Sequence, residues 1–177
     1  MKKMFIIALL ALGNSVFAQD YCKQIKKEVT DNNTSFTYES PYKADSLPAI
    51  RAVRAYSTNP EAEFDNFNLI MAIPCEFSDL LEKGTSGETE KEETGIVIEF
   101  DDKSKLEDEG ISISHDKKGD GTANRIAYYP ITPDNVKDIT TKKVVKIHLG
   151  GGVITVTPEM ATAIQKYVTC LRDVKKM

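Results

Sequence analysis

The chain has 177 residues, with 23 Lys plus Arg against 27 Asp plus Glu and 41% hydrophobic residues. A length of this order suits one domain, since a chain of roughly 150 residues buries about 70% of its unfolded surface on folding. The acidic balance, with no basic stripe, removes the counterion-release affinity on which nucleic-acid binding rests and argues against docking on an anionic membrane.

The chain opens with Met1-Lys2-Lys3-Met4, followed by the unbroken apolar run Phe5–Leu12, the breakers Gly13-Asn14-Ser15 and the small-residue pattern Val16-Phe17-Ala18. That order predicts a cleavable secretory signal peptide of bacterial type over residues 1–18, cut after Ala18. The run is too short to span a bilayer, which needs about 20 apolar residues. A lipid anchor on Cys22 is disfavoured by the polar Gln19-Asp20 before it, so no stable membrane anchor is expected after cleavage. Loss of the leader removes two lysines and no acids. The mature chain, residues 19–177, then carries 21 basic against 27 acidic residues, a net charge of −6, and is expected to form a single β-rich domain in the periplasm or outside the cell.

Three cysteines remain in the mature chain: Cys22, Cys75 and Cys170. An exported protein can keep a disulfide, and because chain termini often lie together, Cys22 with Cys170 is the favoured candidate. Cys75, in Met71-Ala72-Ile73-Pro74-Cys75, has the apolar setting of an inert buried thiol. No Cys-x-x-Cys occurs.

Tyr21–Val29 fits a helix (Tyr21, Ile25 and Val29 four apart) or a strand equally well. Residues Thr34–Glu39 alternate and predict a strand that stops before Pro41; Ile50–Tyr56 and Phe64–Ile73 predict two more. Leu81–Thr94 is polar, charged and glycine-containing, and reads as a mobile loop. Gly95–Phe100, Gly110–His115 and Arg125–Ile131 predict further strands, separated by a turn at Asp101–Ser104 and a loop tip at Asp116–Gly121. Thr132-Pro133-Asp134 and Thr157-Pro158-Glu159 both carry the signature of a helix start: a threonine cap, a proline in the first turn and an acid at the positive end. The first predicts a short helix to about Ile139, the second a C-terminal helix with Met160, Ile164, Tyr167, Val168 and Leu171 on one face. Between them, Lys143–Leu149 and Val153–Val156 flank Gly150-Gly151-Gly152 as a hairpin. The expected fold is mainly β within the α+β class: an antiparallel β-sandwich or bent sheet of about seven strands, with the C-terminal helix packed on it.

None of the chemical motifs meets its own requirements. The glycine run is followed by a β-branched strand, with no lysine where a phosphate loop needs one. The segment from Asp116 lacks the acids of a calcium loop, with Lys118 at the third position and Ala127 at the twelfth. Two histidines, His115 and His148, are too few for a three-His zinc site, and Gly84-Thr85-Ser86-Gly87 misses the spacing of a serine nucleophile elbow. No catalytic residue, metal or cofactor is therefore assigned. Tyr128 and Tyr129 are the candidate contact surface, with the restriction that adjacent residues of a strand face opposite sides. The resulting expectation is an exported, non-enzymatic domain that binds a protein or small ligand. The alternatives are an envelope hydrolase with an unrecognised site and an inhibitor that inserts residues 82–94 into an enzyme. A cleft joining His115 or His148 to two carboxylates would count against the first expectation.

Overall fold

The computed structural model describes residues 21–30, 33–38, 49–57, 59, 61, 63–84 and 87–174; the expected leader and Pro41 lie outside them. The strands are β1 (Ile25–Val29), β2 (Asn33–Tyr38), β3 (Ala49–Ser57), β4 (Asp65–Glu76), β5 (Leu81–Gly84), β6 (Gly87–Glu90), β7 (Glu93–Phe100), β8 (Lys105–Lys117), β9 (Thr122–Pro130), β10 (Val144–Leu149) and β11 (Gly152–Thr155). The helices are α1 (Val136–Thr141) and α2 (Pro158–Arg172). Nine strands form one antiparallel sheet in the order β1-β2-β3-β4-β9-β8-β7-β10-β11, and β5 pairs with β6 in a separate hairpin. The mainly β, α+β expectation holds, in its bent-sheet form and with more strands than the seven read from sequence.

The bend lies in β8. Its residues Lys105 to Ile113 pair with β7, whereas Ser114 to Lys117 pair with β9. One strand thus belongs to two arms of the sheet, and the arms fold toward each other. The turn before β11 reaches β4, where a Cβ on Gly152 would lie 3.2 Å from Ile73. Between the arms, Ile50, Leu69, Met71, Ala127 and Tyr129 from one side meet Ile96, Ile98, Ile147, Leu149 and Ile154 from the other in one continuous core.

The second threonine start behaves as read. Thr157 caps α2, its hydroxyl accepting the Met160 N–H at 3.3 Å, with Pro158 in the first turn. Ala161, Ile164, Tyr167, Val168 and Leu171 are buried, with Ile164, Val168 and Leu171 each contributing about 1.5–3 kcal/mol, while Met160 is half-buried at the rim. The first start is met in part: α1 begins at Val136, but a turn over residues 133–135 leads into it, with the Val136 N–H donating to Thr132 O at 3.0 Å. Asn135 Oδ1 accepts the Thr132 N–H, as the third residue of a capping box does, and its Nδ2 donates to Pro130 O.

Three other segments differ from the sequence reading. Tyr21–Gln24 is a 3-10 turn and Ile25–Val29 a strand, so both readings of this stretch are partly met. Residues 81–84 and 87–90 pair as antiparallel strands rather than forming a mobile loop, with Leu81 opposite Glu90 and Lys83 opposite Glu88. Leu80 is fully buried beneath it and its carbonyl accepts the Lys91 N–H. Strand β4 runs on through Pro74 and Cys75. Its pairing with β3 ends at Ala72, so Pro74 sits where β4 has a single neighbour and a missing N–H breaks no ladder.

Two ties fix α2 to the sheet. Cys22 and Cys170 are joined by a disulfide across 148 residues, and Tyr21 packs edge-on against Tyr167 at 5.1 Å. Arg54 on β3 donates from Nη1 to the carbonyls of Leu171 and Arg172 at 2.9 and 2.8 Å, filling acceptors that every helix leaves open at its C-terminus. Its Nε and Nη2 grip the Asp65 carboxylate at 3.0 and 2.9 Å. Closing so long a loop restricts the unfolded chain, which is typically worth about 2–4 kcal/mol. Urea unfolding with and without dithiothreitol is expected to show the reduced protein weaker by that amount. Cys22→Ala/Cys170→Ala is expected to match the reduced wild type and to ignore the reductant, and identical midpoints for reduced and oxidised protein would show that the bond does not constrain the chain.

Candidate functional site

Two places concentrate chemistry, and they lie on opposite faces of the sheet. The first is a buried charge cluster on the inner face at the bend. Ile73, Arg125 and His115 form one cross-strand row on β4, β9 and β8, and Glu93 opens β7 beside them. Arg125 Nε and Nη2 donate to the Glu93 carboxylate at 2.6 and 3.1 Å, and His115 Nε2 lies 3.1 Å from the same group. The Arg125, Glu93 and His115 side chains are only 8%, 11% and 4% exposed, so this is an ion pair largely removed from water. Burial pushes the Glu93 carboxyl up. Hydrogen bonds from Arg125 and His115, the field of Arg125 and the Gly151 N–H outweigh it and hold the group below the usual carboxylate range.

The glycine run explains how the cluster is roofed. Gly150 has φ +53°, and a Cβ there would stand 2.9 Å from Ile113 Cδ1 and 3.1 Å from Glu93. A Cβ on Gly151 would lie 3.3 Å from the Glu93 carboxylate. The run is the hairpin turn read from sequence, and its lack of side chains also lets that turn rest directly on the ion pair. Neither the lid nor the pair was legible in the sequence, because Glu93 and Arg125 are 32 residues apart and Glu93 sits within a run of acids.

His115 meets a second carboxylate: its Nδ1 lies 2.9 Å from Glu90 on β6, which Lys117 also engages at 2.6 Å. A cleft of about 450 Å³ over Glu90, Glu93, Ser112 and His115 adjoins the cluster. The arrangement named above as evidence against a purely binding role, a histidine with two carboxylates, is therefore present. Its chemistry favours clamping. Glu93 receives four donors, Arg125 twice, His115 and Gly151, which uses about all the lone-pair sites of a carboxylate. Both ring nitrogens of His115 are taken up by carboxylate contacts, so neither faces the cleft free as a general base would. His148 shares no partner with His115; it pairs with Glu99 at 3.2 Å on β10. Among the described residues, no three His, Cys, Asp or Glu side chains converge on a point that could hold a metal ion.

The second place is the outer face of β3, β4 and β9. Strand alternation sends Ile50, Leu69, Met71, Ala127 and Tyr129 inward, and therefore Arg51, Ile70, Ala72, Ile126 and Tyr128 outward. The tyrosine pair separates accordingly. Tyr129 is 5% exposed, belongs to the core and leaves the candidate contact surface; burial pushes its phenol up, opposed by a hydrogen bond with Asn135. Tyr128 is 55% exposed. Arg51, Ile70 and Tyr128 lie side by side in one row, Ala49, Ala72 and Ile126 in the next, and Asn124 and Asp116 in the one beyond. They line a groove of about 370 Å³ with an apolar floor and polar ends. Arg51 is half-buried, and among the described residues it has no hydrogen-bond or ion-pair partner. Sequence reading missed Arg51, Ile70 and Ile126 as site residues. The available signal was that apolar Ile70 and Ile126 fall on the strand positions alternate to the core.

The Cys22–Cys170 bond lies away from both places, beside Ile25 and Phe36 at the start of the sheet. Cys75 carries a free thiol, half-buried, with Sγ 3.6 Å from the Ala123 carbonyl; burial pushes the thiol up. No protein-family model matches the chain, and no curated protein and no solved structure is detectably similar to it.

Removing one partner of a buried pair strands the other charge, at a typical cost of about 3–5 kcal/mol, whereas replacing both with apolar groups is often near neutral. Glu93→Gln and Arg125→Met are each expected to lose that much in urea titrations, and Glu93→Leu/Arg125→Met much less than the sum; additive losses would show the two residues uncoupled. A depressed carboxylate stabilises above its unfolded pKa, about 4.3 for Glu, and the benefit is lost as pH falls through the native value. Melts of the wild type are expected to drop below about pH 4.3, and Glu93→Gln, having no carboxylate to protonate, to show a flatter acid limb.

Proposed function

We propose that this chain is an exported, non-enzymatic binding domain, periplasmic or extracellular, that holds its ligand on the outer face of β3, β4 and β9. The observation that carries the reading is the pairing of an exposed Tyr128 with a partnerless Arg51 across an apolar floor. Tyrosine and arginine are enriched at binding surfaces because each combines apolar area with directed donors. Among the described residues no buried side-chain nitrogen or oxygen lacks a partner, so the core asks nothing of a ligand. Export is supported by the leader pattern and by a disulfide, which persists in oxidising compartments.

A specific observation also favours a second reading, the envelope hydrolase: a cleft adjoins His115, Glu90 and Glu93, a histidine with two carboxylates. The clamped state of His115 ranks it lower. Activity toward ester, peptide or glycan substrates that disappears in His115→Ala while the fold persists would reverse that order.

The binding reading is tested by capture from envelope extract with immobilised protein purified after export. Tyr128→Asp is expected to leave the melting temperature within about 2 °C, as a surface substitution of at most about 0.5 kcal/mol should. It is also expected to abolish saturable retention of the partner, whereas Val29→Asp, at an exposed site on β1, retains it. Equal retention by all three proteins removes the outer face as the binding surface.

A further inference from the structure

The groove on the outer face is polar at both ends, and its two ends differ. At one end stand Arg51 and the Tyr128 ring, flanking Ile70 in a single cross-strand row. At the other end Asp116, Asn124 and Lys118 form a connected group: Lys118 Nζ lies 2.5 Å from the Asp116 carboxylate. Hydrogen bonding from Lys118, its positive charge and a hydrogen bond from Asn124 hold Asp116 below the usual carboxylate range. The floor between is Ile70, Ala72 and Ile126. From Tyr128 to Asn124 is four residues of strand, roughly 13 Å at 3.3–3.4 Å per residue. A peptide of about four extended residues has that length.

One end therefore selects a charge. A planar guanidinium with no partner among the described residues presents its paired donors to a carboxylate. The far end carries both signs, Asp116 already paired with Lys118, so it offers donors and acceptors to a polar chain end without selecting its charge, and the apolar floor between them takes uncharged side chains. A simple fatty acid would satisfy Arg51 and the floor but would set its methyl end against Asp116 and Lys118, leaving polar groups desolvated without compensation.

Resting on the outer face as the binding surface, we propose that its ligand is a short apolar peptide with a free C-terminal carboxylate, the carboxylate on Arg51 and the rest of the chain running over the apolar floor toward the polar Asp116–Lys118 group. Charge-assisted hydrogen bonds to the guanidinium then set the polarity of binding, and the groove discriminates a free chain end from the interior of a longer chain.

The test uses uniformly ¹⁵N-labelled protein purified after export, titrated with Ala-Leu-Leu-Phe as the free acid, with the same peptide as its C-terminal amide, and with octanoate. The free acid is expected to shift amide resonances of residues 49–51, 70–72 and 124–128. It is also expected to bind at least tenfold more tightly than either the amide or octanoate. Arg51→Gln, which loses no internal contact, is expected to erase the difference between acid and amide without changing the melting temperature. Equal affinity for acid and amide, octanoate equal to the peptide, or no binding of the peptide at millimolar concentration overturns the ligand assignment. If Tyr128→Asp still abolishes partner capture in any of those cases, the face is right and the ligand class wrong; if the shifts fall elsewhere and Tyr128→Asp captures normally, both readings fall.

Discussion

The shape of this protein depends on one buried ion pair. Strand β8 leaves β7 at Ile113 and takes up β9 at Ser114, so the sheet must turn sharply there, and a turn in a sheet ends some backbone pairing and exposes polar groups to the core side. Glu93, Arg125 and His115 occupy that corner, and each comes from a different strand of the two arms. A carboxylate so placed would be intolerable alone, because burial by itself favours the neutral acid. Four donors make it tolerable, and supplying them fixes the relative positions of β7, β8, β9 and the β10–β11 turn. The pair thus works as a geometric constraint more than as a source of net stability, in keeping with the general finding that buried pairs are weak stabilisers but severe when broken.

The glycine turn and the hairpin β5–β6 follow from the same corner. A turn carrying side chains could not come down on Glu93, since a Cβ on Gly150 already collides with Ile113. The hairpin is held from its own end: Glu90 reaches His115 and Lys117, and Lys117 lies over the Phe77 ring at 4.9 Å. A polar stretch that would be unstructured in isolation gains a partner for its charges and a buried Leu80 beneath it. That is why residues 81–84 and 87–90 are strands despite a composition typical of loops.

Local pattern made most of the strands and α2 legible, because alternation and a threonine–proline start are encoded within a few residues of each other. The terminal disulfide was singled out from the tendency of chain ends to meet, not from local pattern. What was not legible depended on distant partners. Asp108 and Glu109 belong to a strand because β7 and its pairing extend to Lys105, which the charged stretch Lys105–Glu109 does not advertise. Thr132-Pro133 matches Thr157-Pro158, yet only Thr157 caps with its side chain; at Thr132 the turn is closed by Asn135 and the helix proper begins at Val136. The adjacent tyrosines were known to point apart, but which of them faced the core depended on the register with β4: Leu69 opposite Tyr129 and Ile70 opposite Tyr128. Glu93 was one acid among many until the fold placed Arg125 beside it.

Three arginines show how differently the same side chain is used. Arg125 is buried and fully engaged by Glu93; Arg54 is divided between Asp65 and the C-terminal carbonyls of α2, with Phe67 beneath it. Both serve the fold, and in both the guanidinium grips a carboxylate through Nε and Nη2 within the chain. Arg51 lies three residues from Arg54 on the same strand, on the opposite face, in a chain with an excess of acids, and still has no partner among the described residues. Nearby Asp116 is held by Lys118 and Asn124 instead. A half-buried guanidinium over apolar residues gives up part of its hydration and gains no hydrogen bond or ion pair from the described residues in return. Satisfaction from outside the chain resolves that imbalance, and the exposed ring of Tyr128 beside it supplies the apolar contact that such a ligand would share.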